Sequence, residues 1–229
     1  MRNWMESFFN LLIPRQCVVC SRTLSHAERC MCTLCNINIP RTHYHLQKDN
    51  QMEKQFWGQI PIERVTAFFY YRKGSAYRNI IRVLKYKGRK DVGEIMGKHF
   101  AQEIMGSGFL DCIDLIIPIP LHHKRFKKRG YNQSEWIARG IAGVCQIPIN
   151  NQAIIRKAYT DSQTSNSVTE RWENVKDAFE LQQTEGLTGK HILLIDDVLT
   201  TGATIKACAS VLSDIEGVRF SIITLGVSG

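Results

Sequence analysis

Residues 190–204 read Lys-His-Ile-Leu-Leu-Ile-Asp-Asp-Val-Leu-Thr-Thr-Gly-Ala-Thr, and no other stretch of the 229-residue chain gathers as many groups that could act on a ligand. The adjacent carboxylates Asp196 and Asp197 suit a pair of vicinal hydroxyls. Behind them, Val198, Leu199, Thr200, Thr201, Gly202, Ala203 and Thr204 lead into an amphipathic run that continues through Ala207 and Val211. A helix opening there offers unpaired N–H groups and the positive end of its dipole to a phosphate. The threonine hydroxyls add donors, and Gly202 lets the backbone come close. Acids for a diol beside a cradle for phosphate describe a site for a ribose 5-phosphate. Neighbouring side chains on an extended chain point opposite ways, so the two aspartates have different tasks. A plain turn with a helix cap needs only part of this pattern; strand, acid pair, hydroxyl-rich loop and helix in unbroken order ask for more.

These residues need a scaffold. His191 to Ile195 is a nearly continuous apolar run, the pattern of a strand buried on both faces of a parallel sheet, and such sheets bind ligands beyond their strands' carboxyl ends. Further strands are expected at Val65–Tyr71, Asp114–Pro120, Ile154–Arg156 and Val218–Leu225. Helices are expected after Ser75, carrying Ile80, Ile81 and Leu84 inward, over Val92–Met105, and over Ser134–Cys145 with Trp136, Ile137 and Ile141 inward. The fold class is therefore α/β, an open parallel sheet flanked by helices. The loop from His122 to Gln133 follows a strand at the same sheet edge as Asp196. Its five Lys/Arg could neutralise a diphosphate or a nucleic-acid backbone. Thr160 to Ser167 is polar and aperiodic and reads as a mobile loop, and Ser167-Val-Thr-Glu170 reads as a capping box opening a further helix.

The net charge of +9 is concentrated in residues 61–140, which hold 16 Lys/Arg against 7 Asp/Glu. That excess suits polyanions. Five of the eight cysteines fall between positions 17 and 35. Cys17, Cys20, Cys32 and Cys35 form C-x2-C-x11-C-x2-C, the ligand set of a closed structural zinc site, with Cys30 an alternative to Cys32. The expected organisation is an N-terminal helix and zinc-binding module over 1–40, a polar linker over 41–61 and the α/β domain over 62–229. Trp4, Phe8, Leu11 and Leu12 lie at helical spacing without a cleavage site after them, and no apolar run is long enough for a membrane span. A cytoplasmic protein without membrane insertion is expected.

Residues 190–204 resemble the binding motif of type I phosphoribosyltransferases for 5-phosphoribosyl 1-diphosphate (PRPP). Over nearly its full length the chain further resembles the ComF family of competence-associated, phosphoribosyltransferase-like proteins. The paired cysteines carry this resemblance, with Leu84-Lys85-Tyr86, Gly88-Arg89, Pro118-Ile-Pro120, Arg129-Gly130-Tyr131-Asn132-Gln133, and the register Arg156, Thr160, Gln163, Arg171, Asn174. Asn166 departs from it, standing where relatives often have an apolar residue. The resemblance implies a type I phosphoribosyltransferase-like fold and PRPP bound with Mg²⁺. It gives the ribose hydroxyls to Asp196 and Asp197 and the 5-phosphate to 198–204. The diphosphate falls to Lys85, Pro120, Leu121, Arg129, Asn132 and Gln133, and a flexible loop would hold Arg156, Thr160, Gln163, Arg171 and Asn174. It also implies a role in DNA uptake, often beside a helicase-like partner; a monomer or homodimer is expected. Two functions compete. One is a phosphoribosyltransferase. The other is a non-catalytic PRPP or nucleotide sensor that binds single-stranded DNA through its basic middle third, with Phe126, Tyr131 and Trp136 as stacking groups.

Overall fold

The computed structural model describes residues 14–157 and 178–228. The expected N-terminal helix and the loop positions Thr160, Gln163, Asn166, Arg171 and Asn174, with the capping box before Arg171, lie outside the described residues. The described strands are β1 (Ile62–Tyr70), β2 (Leu115–Pro118), β3 (Ile154–Arg156), β4 (Phe179–Leu181), β5 (His191–Leu199) and β6 (Arg219–Val227). Four of them form one sheet in the order β1-β6-β5-β2, every pairing parallel, while β3 and β4 make a small antiparallel pair. The described helices are α1 (Thr33–Ile37), α2 (Gln51–Lys54), α3 (Arg78–Tyr86), α4 (Lys90–Ile104), α5 (His123–Arg129), α6 (Gln133–Cys145) and α7 (Ala203–Leu212). None is long and apolar enough to cross a membrane.

The two-residue period of β5 and β6 sorts their side chains between two layers. Leu193, Ile195, Ile223 and Leu225 join the layer of Ile80, Leu84, Phe100, Ile137 and Ile141, contributed by α3, α4 and α6. Ile192, Leu194, Phe220 and Ile222 join the opposite layer, with Ile205, Cys208 and Leu212 of α7. The sheet is thus covered on both faces, which is why its central strands read as unbroken apolar runs.

The expected polar linker over 41–61 is instead part of the folded body. Asn50 caps α2, accepting hydrogen bonds from the Met52 and Glu53 amides, while Glu53 accepts from the Asn50 amide at 3.1 Å. The same two side chains fasten the segment to β1: Asn50 Nδ2 donates to the Val65 carbonyl at 3.0 Å, and the Val65 amide donates to Glu53 at 3.2 Å. Met52 and Phe56 are buried in the α7 layer. The cysteine-bearing segment is also continuous with the core, since Val19, Leu24, Met31 and Ile39 join the α3–α4 layer and Tyr77 donates to the Cys35 carbonyl at 3.1 Å.

Helices α4 and α6 meet at two glycines. A Cβ on Gly97 would stand 2.3 Å from the Ile137 carbonyl oxygen, and one on Gly140 would stand 2.0 Å from that of Glu94. Backbone cannot yield as a side chain can, so Gly140→Ala is expected to destabilise the protein by ~2–3 kcal/mol despite alanine's better helix propensity. Gly143, three residues on, has nothing within 4 Å of an added Cβ. Gly143→Ala should therefore stabilise by up to ~1 kcal/mol. Urea unfolding of the two variants checks the contrast.

Candidate functional site

β5 does not stop at Ile195. It runs through the acid pair to Leu199, with Asp196 in register with Thr224 and Val198 with Gly226. The pair thus lies inside the strand, and both carboxylates line one cleft. Asp197, on the parity of Leu193 and Ile195, faces the layer of α3 and forms an ion pair with Lys85, Nζ to Oδ1 2.8 Å. Burial pulls the Lys85 ammonium down, but the charge and direct hydrogen bond of Asp197 outweigh it and hold the pKa above the ordinary lysine value. Asp196 meets the start of α6 instead. Its Oδ1 accepts from Ser134 Oγ at 3.1 Å and from the Asp197 amide at 2.8 Å. Burial, reinforced by the Asp197 charge, pushes Asp196 up to about 6.

The next turn has the form of an anion cradle. Gly202 takes a left-handed conformation, φ 74°, as the N-cap of α7 and brings no side chain of its own to that end; Thr201 Oγ1 accepts from the Ala203 amide at a long 3.5 Å. A Cβ there would also lie 3.1 Å from the Phe56 ring, so glycine is required twice over. Phe56 supports the loop from beneath, which gives residues 41–61 a part in the site. Asp196 and residues 198–205 line a small recess at this helix end.

A cleft of about 350 Å³ joins these parts at the carboxyl edge of β5 and β2. Of the sequence-derived diphosphate residues, Lys85, Pro120, Leu121 and Arg129 line it, as do Asp196, Asp197, Thr200 and Thr204. Asn132 and Gln133 do not. Asn132 is buried as the N-cap of α6, accepting from the Ser134 amide and donating to the Ile119 carbonyl at 3.0 Å. Gln133 is buried too, and its Oε1 accepts from Arg129 at 2.7 Å. Both side chains brace the cleft wall: one fixes the turn at Pro120, the other aims a guanidinium. Arg156, at the end of β3, also lines the cleft and stacks over Phe179 at 5.3 Å.

Sequence reasoning passed over Tyr71 and Ser134, and named Arg125 only as one of the five Lys/Arg of the 122–133 loop. Arg125 and Arg129 sit one helical turn apart on α5 and both line the cleft, a spacing that was visible in the sequence. Of the three expected stacking residues, Phe126 is 46% exposed, whereas Tyr131 is buried with its hydroxyl donating to the Leu84 carbonyl. Trp136 lies between Lys90 and Arg139, each 4.7 Å from its ring. Tyr86, which sequence reasoning did not single out, is 69% exposed.

Outside the cleft lining, the thiol sulfurs of Cys17, Cys20, Cys32 and Cys35 all lie within 4.8 Å of one another. The first pair sits on a knuckle closed by the Ser21 amide donating to the Cys17 carbonyl, and the second opens α1 with Cys32 as N-cap. Cys30, the alternative ligand, is outside this group. It is buried in the core, and burial pushes its thiol up to about 12. Four thiols so placed can hold a structural metal ion.

The raised Asp196 makes a signed prediction. Its carboxyl binds a proton more tightly in the folded protein, about 6 against an ordinary 3.8. The stability this contributes is full below pH 3.8 and is lost as pH rises through about 6. Asp196→Asn removes that loss, so the variant should be more stable than the parent by ~1–2 kcal/mol at pH 7–8, with the gain gone by about pH 4. Denaturant unfolding across that range measures it.

No family model matches the chain. Over 199 residues it is 28% identical to DNA utilization protein YhgH of Escherichia coli O157:H7, covering 86% of this chain and 83% of that relative. It is 26% identical to competence protein F of Haemophilus influenzae over 219 residues, 91% and 93% of the two chains. Over 101 residues it is 30% identical to competence protein ComFC of Bacillus subtilis, 43% and 38% of the two. Among solved structures, a hypoxanthine phosphoribosyltransferase from Staphylococcus aureus overlaps 61% of this chain and 63% of its own, with a TM-score of 0.35 and 14% identity. Similarity over most of the chain to bacterial DNA utilization and competence proteins bears out the resemblance to the ComF family read from the sequence.

Proposed function

We propose that the chain binds PRPP with magnesium in the β5–β2 cleft and transfers the phosphoribosyl group to an acceptor in the course of DNA uptake. One observation carries the reading: two carboxylates near the carboxyl end of β5 share a single cleft with the start of α7 and the cations Lys85, Arg125, Arg129 and Arg156. That order matches a 5-phosphate, a ribose diol and a diphosphate laid end to end. The amides and hydroxyls of residues 200–204 would take the 5-phosphate. Asp196 and Asp197 would hold the ribose hydroxyls. Lys85, freed from Asp197, would turn with Arg125 and Arg129 to the diphosphate and stabilise the charge that grows as it leaves. Bound magnesium would supply further counter-charge there. The four cysteines would hold zinc in a closed tetrahedral site with no part in the chemistry. The place in DNA uptake is supported by the names of the relatives from Haemophilus and Bacillus.

A second reading draws on α5. Lys124, Lys127 and Lys128 are exposed there around Phe126, and the Tyr86 ring lies 5.7 Å from the Arg129 guanidinium. Bases could stack on such a surface while the cations follow the strand's phosphates. Under this reading PRPP would be sensed and not turned over.

Diphosphate release from Mg–PRPP across candidate acceptors separates the two. Acceptor-dependent release that falls at least ~100-fold in Asp197→Asn is the expected result. PRPP binding without release, together with single-stranded DNA binding that strengthens as salt is lowered, would replace the first reading with the second.

A further inference from the structure

Away from the cleft, where residues 41–45 cross α4, a second group of side chains has the composition of a metal site. One ring nitrogen each of His43 and His45 and one carboxylate oxygen of Glu103 lie within 4.8 Å of one another. His45 is buried, and its Nδ1 has no hydrogen-bond partner among the described residues. The same is true of Glu103 Oε1. Two buried polar atoms left without partners are costly, on the order of 1–3 kcal/mol each, and call for something between them. His43 does not satisfy Glu103 directly, since its Nδ1 stands 4.0 Å from Oε1, beyond hydrogen-bond reach.

The surroundings hold the group in place. Arg41 Nε donates to the other Glu103 oxygen, Oε2, at 2.5 Å, leaving Oε1 to the histidines. Arg41 also donates to the Asn36 carbonyl at 2.9 Å, tying the group to the C-terminus of α1. Arg64 donates to the His45 carbonyl at 2.7 Å, and the His45 ring packs edge-on to Phe100. A carboxylate held by a second partner is the usual outer arrangement of a ligating glutamate.

We infer that His43, His45 and Glu103 form a second metal site, for a divalent first-row transition ion, at the joint between the cysteine module and the sheet. Imidazole and carboxylate ligands favour zinc or cobalt over magnesium. Bonds of ~2.1 Å set ligand atoms roughly 3–4 Å apart, so the group closes on an ion by a small movement, which the exposed His43 can supply. Three protein ligands leave a coordination position open to water or an exchangeable ligand.

Titrating Co²⁺ into full-length, reduced, zinc-loaded protein tests the site. The expected result is one further equivalent per chain with visible d–d absorption and no thiolate-to-cobalt charge-transfer band. His43→Ala, an exposed change, and Glu103→Gln should each weaken that equivalent by at least ~100-fold, more than loss of an outer partner costs. No further equivalent in the parent protein, or one bound equally by both variants, would overturn the inference. A charge-transfer band on the added cobalt would overturn it as well, by assigning the ion to the cysteines.

Discussion

Lys85 Nζ stands 2.8 Å from Asp197 Oδ1, and much of the site is arranged around that contact. It crosses from the end of α3 to the end of β5, joining the residue that brings positive charge into the cleft to the one that brings negative charge. Removing either partner would strand a charge at a poorly solvated position, so the pair fixes both side chains at once. It also shapes its neighbour. With Asp197 ionised and paired, the adjacent Asp196 is left to bear burial and like-charge repulsion, and its proton affinity rises. The two acids, identical in sequence terms, are made different by their partners, an ammonium for Asp197 and a hydroxyl for Asp196.

The rest of the fold serves to hold that strand end steady. Helix α6 reaches it through Ser134, and α6 is itself set by the backbone contact with α4 at Gly97 and Gly140. Phe56 presses on the Gly202 turn from below, and its own position follows from the Asn50–Glu53 capping box that fastens the 41–61 segment to β1. The cleft is therefore built by groups that never touch its interior. Asn132 and Gln133 belong to this support, one closing a helix end and the other steering Arg129.

What could be read from the sequence was what has a period or a fixed order. The parallel sheet followed from unbroken apolar runs. The strand–acid–hydroxyl–helix order located the cleft, and the two C-x2-C pairs located the sulfur group. The extent of β5 was misjudged because carboxylates read as strand breakers, and only the paired register with β6 shows that the strand continues. Residues 41–61 passed for a linker because their apolar residues are few. The Asn50-x-x-Glu53 signature was present, but its burial depends on β1, which local pattern does not carry. Cys30 could not be told from Cys32 by spacing, and was separated from it only by the turn that sends its thiol into the core. Tyr131 and Trp136 looked like stacking groups by type, yet packing buries one and sandwiches the other between cations.

The central claim is that the Lys85–Asp197 pair occupies ground that a ribose diphosphate must take over. A crystal structure of the protein soaked with Mg–PRPP at neutral pH would address it most directly. The account predicts the 5-phosphate at the amides of residues 201–204, the ribose hydroxyls at the acid pair, and Lys85 Nζ withdrawn from Asp197 towards the diphosphate. Ligand found outside this cleft, or density in it with the 2.8 Å ion pair intact, would contradict the account.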